Sequence, residues 1–269
     1  MGGRVHSERQ RKERLNKENY NTYGTLMKIV EYNGCNDIWV EFQDEYKAKV
    51  HTTYTHFKDG SVKNPYDKEV QGVGCFGIGK FKSRGEDGSK TLAYRYWMDM
   101  IDRCYNPYRL NKFTAYIDVL ICDEWLCFQN FAKWFYEYYY EIENEKMQLD
   151  KDILYKNNKI YSPKTCVFVP TRINNLFIKQ KRIRGTLPIG VSYHKQHNKL
   201  YVSCDIMDGD NKHKQKFLGL FPLNRPFQAF ICYKDFKEKY IKQIADEYKD
   251  LIPQKLYEAL YKYEVEIND

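Results

Sequence analysis

The 269-residue chain is predicted to be an α+β protein with more than one domain. Two observations predict this class: runs of alternating apolar and polar residues near both ends, and helical apolar stripes in the middle. A chain of this length can form two or three small domains. We expect an N-terminal small β domain, a central helical region with a strand–strand–helix motif, and a C-terminal three-stranded antiparallel sheet plus helix.

The N-terminal part is expected to begin with a flexible charged arm, residues 1–22, followed by a β domain, residues 23–82. Extended segments at 27–32 and 37–42 flank Asn33-Gly34, a pair typical of hairpin turns. A further extended run is expected near 47–57. The sequence does not indicate what this domain does; a second nucleic-acid contact and a docking site for a protein partner are the two alternatives.

The glycine-rich segment 72–79 invites comparison with a phosphate-binding loop. It lacks the Lys-Ser/Thr pair that ends such a loop, and no helical pattern follows it. The segment therefore predicts tight turns. A polar linker over residues 84–90 separates it from the central domain.

The central domain is expected to span residues 91–178. Tyr94, Trp97, Met98 and Ile101 share one helical stripe that ends at Asn106-Pro107, and a second helix is expected from about Asp123, which is a candidate N-cap. Strands at 147–154 and 165–169, with a polar loop between them, then lead into a helix that Pro170 opens.

The C-terminal domain, residues 188–269, is expected to follow a basic linker at 179–187. Strands are predicted at 189–194, 200–207 and 212–221, and the middle strand alternates apolar and polar residues, as in a sheet with one buried face. A helix is predicted from about Pro226, and a closing helix over 252–263.

Charge is distributed unevenly along this chain. The formal net charge is +8, yet residues 153–204 contain no Asp or Glu at all. The cations of this acid-free stretch are Lys156, Lys159, Lys164, Arg172, Lys179, Lys181, Arg182, Arg184, Lys195 and Lys199. A cationic surface without carboxylates suits phosphate contact, because each carboxylate would repel the nucleic-acid backbone. A linker of merely solvated charges is the alternative.

The eight cysteines form no CxxC pair and are expected to be reduced, mostly buried thiols. The N-terminus is charged, with no secretory signal, and no stretch is apolar enough to span a membrane. We therefore expect a cytoplasmic protein of a bacterial host cell.

Four ordered sequence blocks between Tyr94 and Phe177 are together specific. They are Trp97-x-x-Met100-x-x-Arg103-Cys104-Tyr105-Asn106, Val119-x-x-Cys122-Asp123-Glu124-Trp125-x-x-Phe128, Leu149-Asp150-Lys151-Asp152, and Tyr161-Ser162-Pro163-x-x-Cys166-x-x-Val169. The stretch resembles HNH homing-endonuclease-like proteins of phages and mobile elements. The resemblance implies Asp150 and Asn174 as catalytic ligands of Mg²⁺ or Mn²⁺.

The resemblance also shows where this chain departs from active nucleases. Lys151 lies where active members place the catalytic His, and Thr165 lies where they place the residue that orients it. HNH hydrolysis needs a metal ion and a neutral base, and no His occurs between His56 and His194. Lys151 could act as the base only with a strongly lowered pKa, which neighbouring Asp150 and Asp152 oppose. Asp150 and Asn174 could instead brace a small fold.

The C-terminal region carries Gly190-Val191-Ser-Tyr, Phe217-Leu-Gly219-x-Phe221, Ala229-Phe and Tyr233-x-x-Phe-Lys. This layout resembles the ethylene-response-factor type of DNA-binding domain, which places the open face of its sheet in the major groove. The exposed candidates on that face include Ser192, His194 and Ser203. The residues expected to contact DNA are Lys179, Lys181, Arg182, Arg184, Tyr193, Lys195, Lys199, Tyr201, Lys214 and Lys216.

The predicted function is binding of double-stranded DNA by a protein of phage or mobile-element type, derived from an HNH homing endonuclease. Whether nuclease activity is lost stays open. One alternative is an active, metal-dependent HNH-type endonuclease or nickase. A second is a protein-interaction inhibitor of a host defence complex.

Overall fold

The computed structural model describes residues 2–112, 116–178, 185–207 and 213–269. The fold class is α+β, as predicted. The chain divides into two compact units, Met1–Glu137 and Tyr138–Asp269. The division falls inside 91–178, the range predicted as one domain. Among the described residues, no helix combines the length and the apolar character needed to cross a bilayer.

The first unit begins with helix α1 and a four-stranded antiparallel sheet in the order β1-β2-β3-β4. These elements are α1 (Gly2–Arg14), β1 (Glu18–Tyr20), β2 (Leu26–Gly34), β3 (Asp37–Phe42) and β4 (Lys49–Thr52). Alternation along β2 and β3 buries one face, which includes Met27, Ile29 and Val40. The predicted hairpin around Asn33-Gly34 is confirmed.

Two details of this unit differ from the prediction. Residues 18–20 belong to the sheet rather than to an arm, because β1 pairs along β2. The run expected near 47–57 is only partly extended, since α2 (Tyr54–Asp59) follows β4. The Thr53 hydroxyl starts that helix by accepting the backbone N–H of His56 at 3.2 Å.

Turns and helices complete the first unit. Residues 72–79 form turns and isolated bridges, as predicted, and no helix begins there. The elements that follow are α3 (Leu92–Tyr105), α4 (Pro107–Lys112), β5 (Leu120–Ile121), a 3₁₀ helix (Asp123–Leu126) and α5 (Phe128–Tyr138). The buried stripe of α3 contains Met100 rather than Met98.

The expected N-cap role of Asp123 is wrong. The residue before the 3₁₀ helix is Cys122, and it makes no side-chain cap hydrogen bond. The α-helix itself starts only at Phe128. The chain first makes a 3₁₀ turn, which buries Trp125 and begins without a side-chain cap.

The second unit contains the strand–strand–helix motif. Its elements are β6 (Met147–Asp150), β7 (Ile160–Tyr161), β8 (Val167–Pro170) and α6 (Thr171–Asn175). β6 and β8 pair antiparallel, with Asp150 opposite Val167. The first strand ends four residues earlier than predicted, because the Asp150 carboxylate binds the backbone of residues 152 and 153 and turns the chain.

A three-stranded antiparallel sheet and two helices form the rest of the second unit, as predicted. They are β9 (Val191–His194), β10 (Lys199–Met207), β11 (His213–Phe221), α7 (Pro226–Glu247) and α8 (Gln254–Lys262), with the sheet in the order β11-β10-β9. The first half of α7 packs on the sheet, where Phe230 and Tyr233 meet Leu200 and Val202. The second half packs on β8 and α6.

Candidate nucleic-acid interface and motif residues

Asp150 lies at the end of β6 and is tied to the backbone. Its Oδ1 accepts the N–H of Asp152 at 2.8 Å and the N–H of Ile153 at 2.7 Å. Burial, together with the neighbouring Asp152 carboxylate, raises the pKa of Asp150 to about 6. Asp150 therefore fixes the turn after β6 with one of its two oxygens.

Lys151, at the predicted base position, is engaged in an ion pair. Its Nζ lies 3.0 Å from Asp152 Oδ2, and its side chain is only 12% exposed. The ammonium also lies 5.9 Å from the centre of the Tyr161 ring. These contacts hold the side chain against the loop after β6.

Asn174 and Thr165 also serve the local fold. The Asn174 amide donates to Gln148 Oε1 at 2.7 Å. Thr165 donates its hydroxyl proton to the Ile160 carbonyl at 2.8 Å, and its Oγ1 lies 2.8 Å from the Ser162 hydroxyl. Within the described residues no hydrogen bond joins Asn174 to Asp150.

The predicted Mg²⁺ or Mn²⁺ site depends on the oxygen ligands that its residues can offer. Hard divalent ions take several oxygen ligands, usually with at least one free carboxylate. One oxygen of Asp150 accepts backbone N–H groups, and the Asp152 carboxylate is paired with Lys151. The amide oxygen of Asn174 is the remaining candidate ligand, and it is a weak one. No group of three or more His, Cys, Asp or Glu side chains suited to a metal occurs in the described ranges. The residues present do not fit a preformed metal site, and we derive no catalytic step from one.

The motif residues of the first unit are structural. Trp97 is fully buried, and its Nε1 donates to the Trp125 carbonyl at 2.8 Å. Asn106 ends α3: its side chain donates to Asp102 Oδ1 at 2.6 Å and accepts the N–H of Tyr108 at 2.9 Å. The resemblance in this region therefore lies in a buried core and a helix-to-helix corner.

Two cations of the acid-free stretch are paired with acids from the C-terminal helices and tail. Lys156 Nζ lies 3.0 Å from a Glu266 oxygen and 2.9 Å from a buried Asp269 oxygen. Arg172 pairs with Glu247 at 2.7 Å. The acid-free stretch therefore does not form one continuous unpaired surface, because the fold brings distant carboxylates to it.

Other cations of the same stretch remain available. Lys164, Lys195 and Lys199 are exposed and make no ion pair within the ranges that the structure describes. The predicted linker cations Lys179, Lys181, Arg182 and Arg184 lie outside the described residues. The available cations of the described part lie in the turn before β8 and around the β9–β10 hairpin.

Strand register assigns each predicted contact of the C-terminal sheet to a face. Tyr201 lies opposite Ser192, and Lys199 lies opposite His194, on the face away from α7. Tyr193 is opposite buried Leu200, so it belongs to the helix side, where its hydroxyl donates to Asn198 at 2.9 Å. Lys195 lies in the turn.

Lys214 and Lys216 do not lie on the open face. They are opposite Ile206 and Cys204, whose side chains point toward α7. The ammonium of Lys216 lies 5.4 Å from the ring centre of Phe236, a residue of α7. These two lysines are exposed at the sheet edge on the helix side, and so cannot contact a ligand laid flat on the open face.

Beside the predicted His194 and Tyr201, the open face carries two aromatic residues that the prediction did not include, His197 and Phe217. His197, His194, Tyr201 and Phe217 form a run of neighbouring rings across all three strands, which we call the ring row. Phe217 is 52% exposed and lies opposite Ser203. The sequence signal for Phe217 is misleading, because a bulge at Val202/Ser203 shifts the register of β11.

Comparisons of the chain with protein-family models, with curated proteins and with solved structures found no match. The likeness to HNH and ethylene-response-factor domains thus rests on the quoted motifs alone. It stays a prediction, and what supports a function is the arrangement of charged and aromatic residues in the second unit.

Proposed function

We propose that this chain is a DNA-binding protein of phage or mobile-element type, derived from an HNH homing endonuclease. The observation that carries the proposal is the acid-free stretch of residues 153–204, whose Lys164, Lys195 and Lys199 are exposed and unpaired within the described ranges. Unpaired cations on a surface without nearby carboxylates attract phosphates and release counterions on binding. The linker cations within residues 179–184 add further positive charge to this stretch of the sequence.

Binding is favoured over cleavage by the contacts around Asp150. A working HNH site needs a base that is free to take a proton from water, and Lys151 is instead ion-paired with Asp152. The hydroxyl of Thr165, at the orienting position, donates its hydrogen bond to the Ile160 carbonyl. Loss of a general base typically lowers the rate by a factor of about 10²–10⁴.

Salt dependence of duplex affinity tests the proposal. We expect Lys164→Gln, Lys195→Gln and Lys199→Gln together to weaken binding to every duplex sequence and to reduce the slope of log K against log[salt] by up to about 3. A matched control removes three exposed lysines on and after the distal half of α7: Lys239→Gln, Lys242→Gln and Lys249→Gln. Equal losses in both variants would mean that net charge alone matters.

A cleavage assay tests the non-catalytic part. Supercoiled plasmid is incubated with the protein and Mg²⁺ or Mn²⁺, with Asp150→Ala as the control. We expect no nicking above background. Metal-dependent nicking that the Asp150→Ala change abolishes would make the chain a nuclease. Tight binding of a host protein, without salt-sensitive affinity for DNA, would favour an inhibitor instead.

A further inference from the structure

The ring row crosses the open face of the β9–β11 sheet. The ring centres of His197 and His194 are 4.7 Å apart, those of His194 and Tyr201 5.7 Å, and those of Tyr201 and Phe217 5.0 Å. Neighbouring ring planes are inclined by only 24°, 30° and 33°. At these separations and angles the four rings stack on one another rather than meeting edge to face, so His194 and Tyr201 share their ring faces with their neighbours.

The ring row is open to solvent at its ends, Phe217 and His197, whereas His194 and Tyr201 between them are only partly exposed. Phe217 at one end is 52% exposed, and Leu220, which lies opposite Tyr201 on the same face, is 37% exposed. Exposed aromatic rings that touch one another on an open sheet face are costly in water unless a ligand covers them. The helix side of the same sheet already has its cover, since α7 packs there.

Charge on this face is polarised. Lys199 lies opposite His194 and is exposed, and exposed Lys195 belongs to the turn next to His197. Asp205 and Gln215 occupy the other end of the face, beyond Phe217. The rings and the cations are thus found together at the β9–β10 end, which combines flat apolar surfaces with positive charge.

We propose that the ring row binds single-stranded DNA, with an unpaired base continuing the stack on exposed Phe217 and the strand's phosphates near Lys195 and Lys199. Base–aromatic stacking beside a positively charged track is how sequence-tolerant single-strand binders work. In a duplex the faces of the bases are covered by their neighbours, and only their edges are presented in the grooves. The ring at the end of a stacked row therefore matches the face of an unpaired base better than a base-pair edge.

This inference rests on the proposed function and specifies the form of DNA that this face takes. Duplex contact through the cations is a separate activity, because those phosphates need no ring. The two can be separated by measuring fluorescence anisotropy with labelled oligo(dT) and with the matching oligo(dT)·oligo(dA) duplex.

We expect Phe217→Ala to weaken oligo(dT) binding roughly tenfold, with duplex affinity changed less than about twofold. Phe217→Leu keeps an apolar side chain at a half-exposed position, so it guards against misfolding, and it is expected to lose nearly as much. Phe227→Ala is the matched control, because Phe227 is 59% exposed but lies at the start of α7, outside the ring row. Circular dichroism checks that each variant is folded.

The other outcomes of this experiment distinguish failure of the ring-row proposal from failure of the proposed function. If the unmodified protein binds duplex but not oligo(dT), or if Phe217→Ala leaves oligo(dT) affinity unchanged, the ring row is not a base-stacking site and the proposed function survives. If the protein binds neither oligonucleotide, the proposed function fails with it. Tighter binding of oligo(rU) than of oligo(dT) would overturn the choice of DNA.

Discussion

The buried carboxylate of Asp150 makes a pH-dependent contribution to stability that one substitution can isolate. Burial and the Asp152 charge disfavour its ionised form, while the N–H groups of Asp152 and Ile153 favour it, and the net result is a pKa raised from 3.8 to about 6. Asn at this position would keep an Oδ1 acceptor for both N–H groups and remove the charge. Asp150→Asn therefore changes little except ionisation.

The sign and size follow from linkage. A carboxyl whose pKa is higher in the folded state than in the unfolded state binds more protons when folded, so its ionisation destabilises the fold. The destabilisation is absent below about pH 4, develops between about pH 4 and 6, and is complete above that range. A shift of about 2 pH units at ~1.36 kcal/mol each corresponds to about 2–3 kcal/mol. We expect the Asn variant to be more stable by that amount at pH 8 and equal to the unmodified protein at pH 4.

The assay must report on the second unit. All four tryptophans, at positions 39, 97, 125 and 134, lie in the first unit, so tryptophan fluorescence would miss the effect. Amide hydrogen exchange of β6 and β8 measures the local opening free energy directly. Asp246→Asn is the control, because hydrogen bonds from Tyr261 and Tyr257 lower the pKa of that carboxyl, and its ionisation therefore does not destabilise the fold. An Asn variant that exchanges faster than the unmodified protein at pH 8 would refute the reasoning, since the charged hydrogen bonds would then outweigh burial.

Two further predictions concern a thiol pair and a close backbone approach. A hydrogen bond from Cys75 lowers the pKa of Cys127, so iodoacetamide should alkylate Cys127 at a lower pH than it alkylates an ordinary thiol, and Cys75→Ala should move the midpoint of alkylation upward. A Cβ at Gly190 would lie 2.0 Å from the Tyr233 ring, whereas one at Gly185 would meet nothing within 4 Å although both have positive φ. Gly190→Ala should therefore cost at least about 2 kcal/mol more than Gly185→Ala, measured by hydrogen exchange of β9.

The sequence predicts the C-terminal sheet well because one face of β10 alternates cleanly between buried and open positions. It fails at Phe217 for a specific reason. Phe217 and Phe221 are four residues apart, so a regular strand would place both on one face. The bulge at Val202/Ser203 changes that parity: Phe221 lies opposite buried Leu200, and Phe217 lies opposite Ser203. No local residue pattern predicts this shift in strand register.

Ion pairing between distant residues is the other feature that could not be predicted from the sequence. The absence of acidic residues from the stretch describes only neighbours along the chain, whereas an ion pair needs residues that are close in space. Lys156 finds Asp269, 113 positions away, and Arg172 finds Glu247. Asp150 illustrates the opposite case: its position was predicted, but its bonding to the next turn became evident only from the backbone geometry.

The packing of α7 leads to a last prediction about the predicted linker. One half of this helix packs on the sheet through Phe230 and Tyr233, and the other half packs on β8 and α6 through Ile241 and Ile244. The motif and the sheet thus share one helix, so their cations keep a fixed spacing whatever the length of the connection between them.

Inserting Gly-Ser after Gly185 tests this directly. If the two parts were tethered only by the connection, a longer tether would change their effective concentration and hence duplex affinity. Because α7 holds them, we expect duplex affinity within about twofold of the unmodified protein. A control insertion after Tyr248, which ends α7 against the motif side, should weaken binding by disturbing that packing. Strong loss from the Gly185 insertion with the fold intact would show that the connection, and not α7, sets the geometry of the phosphate contacts.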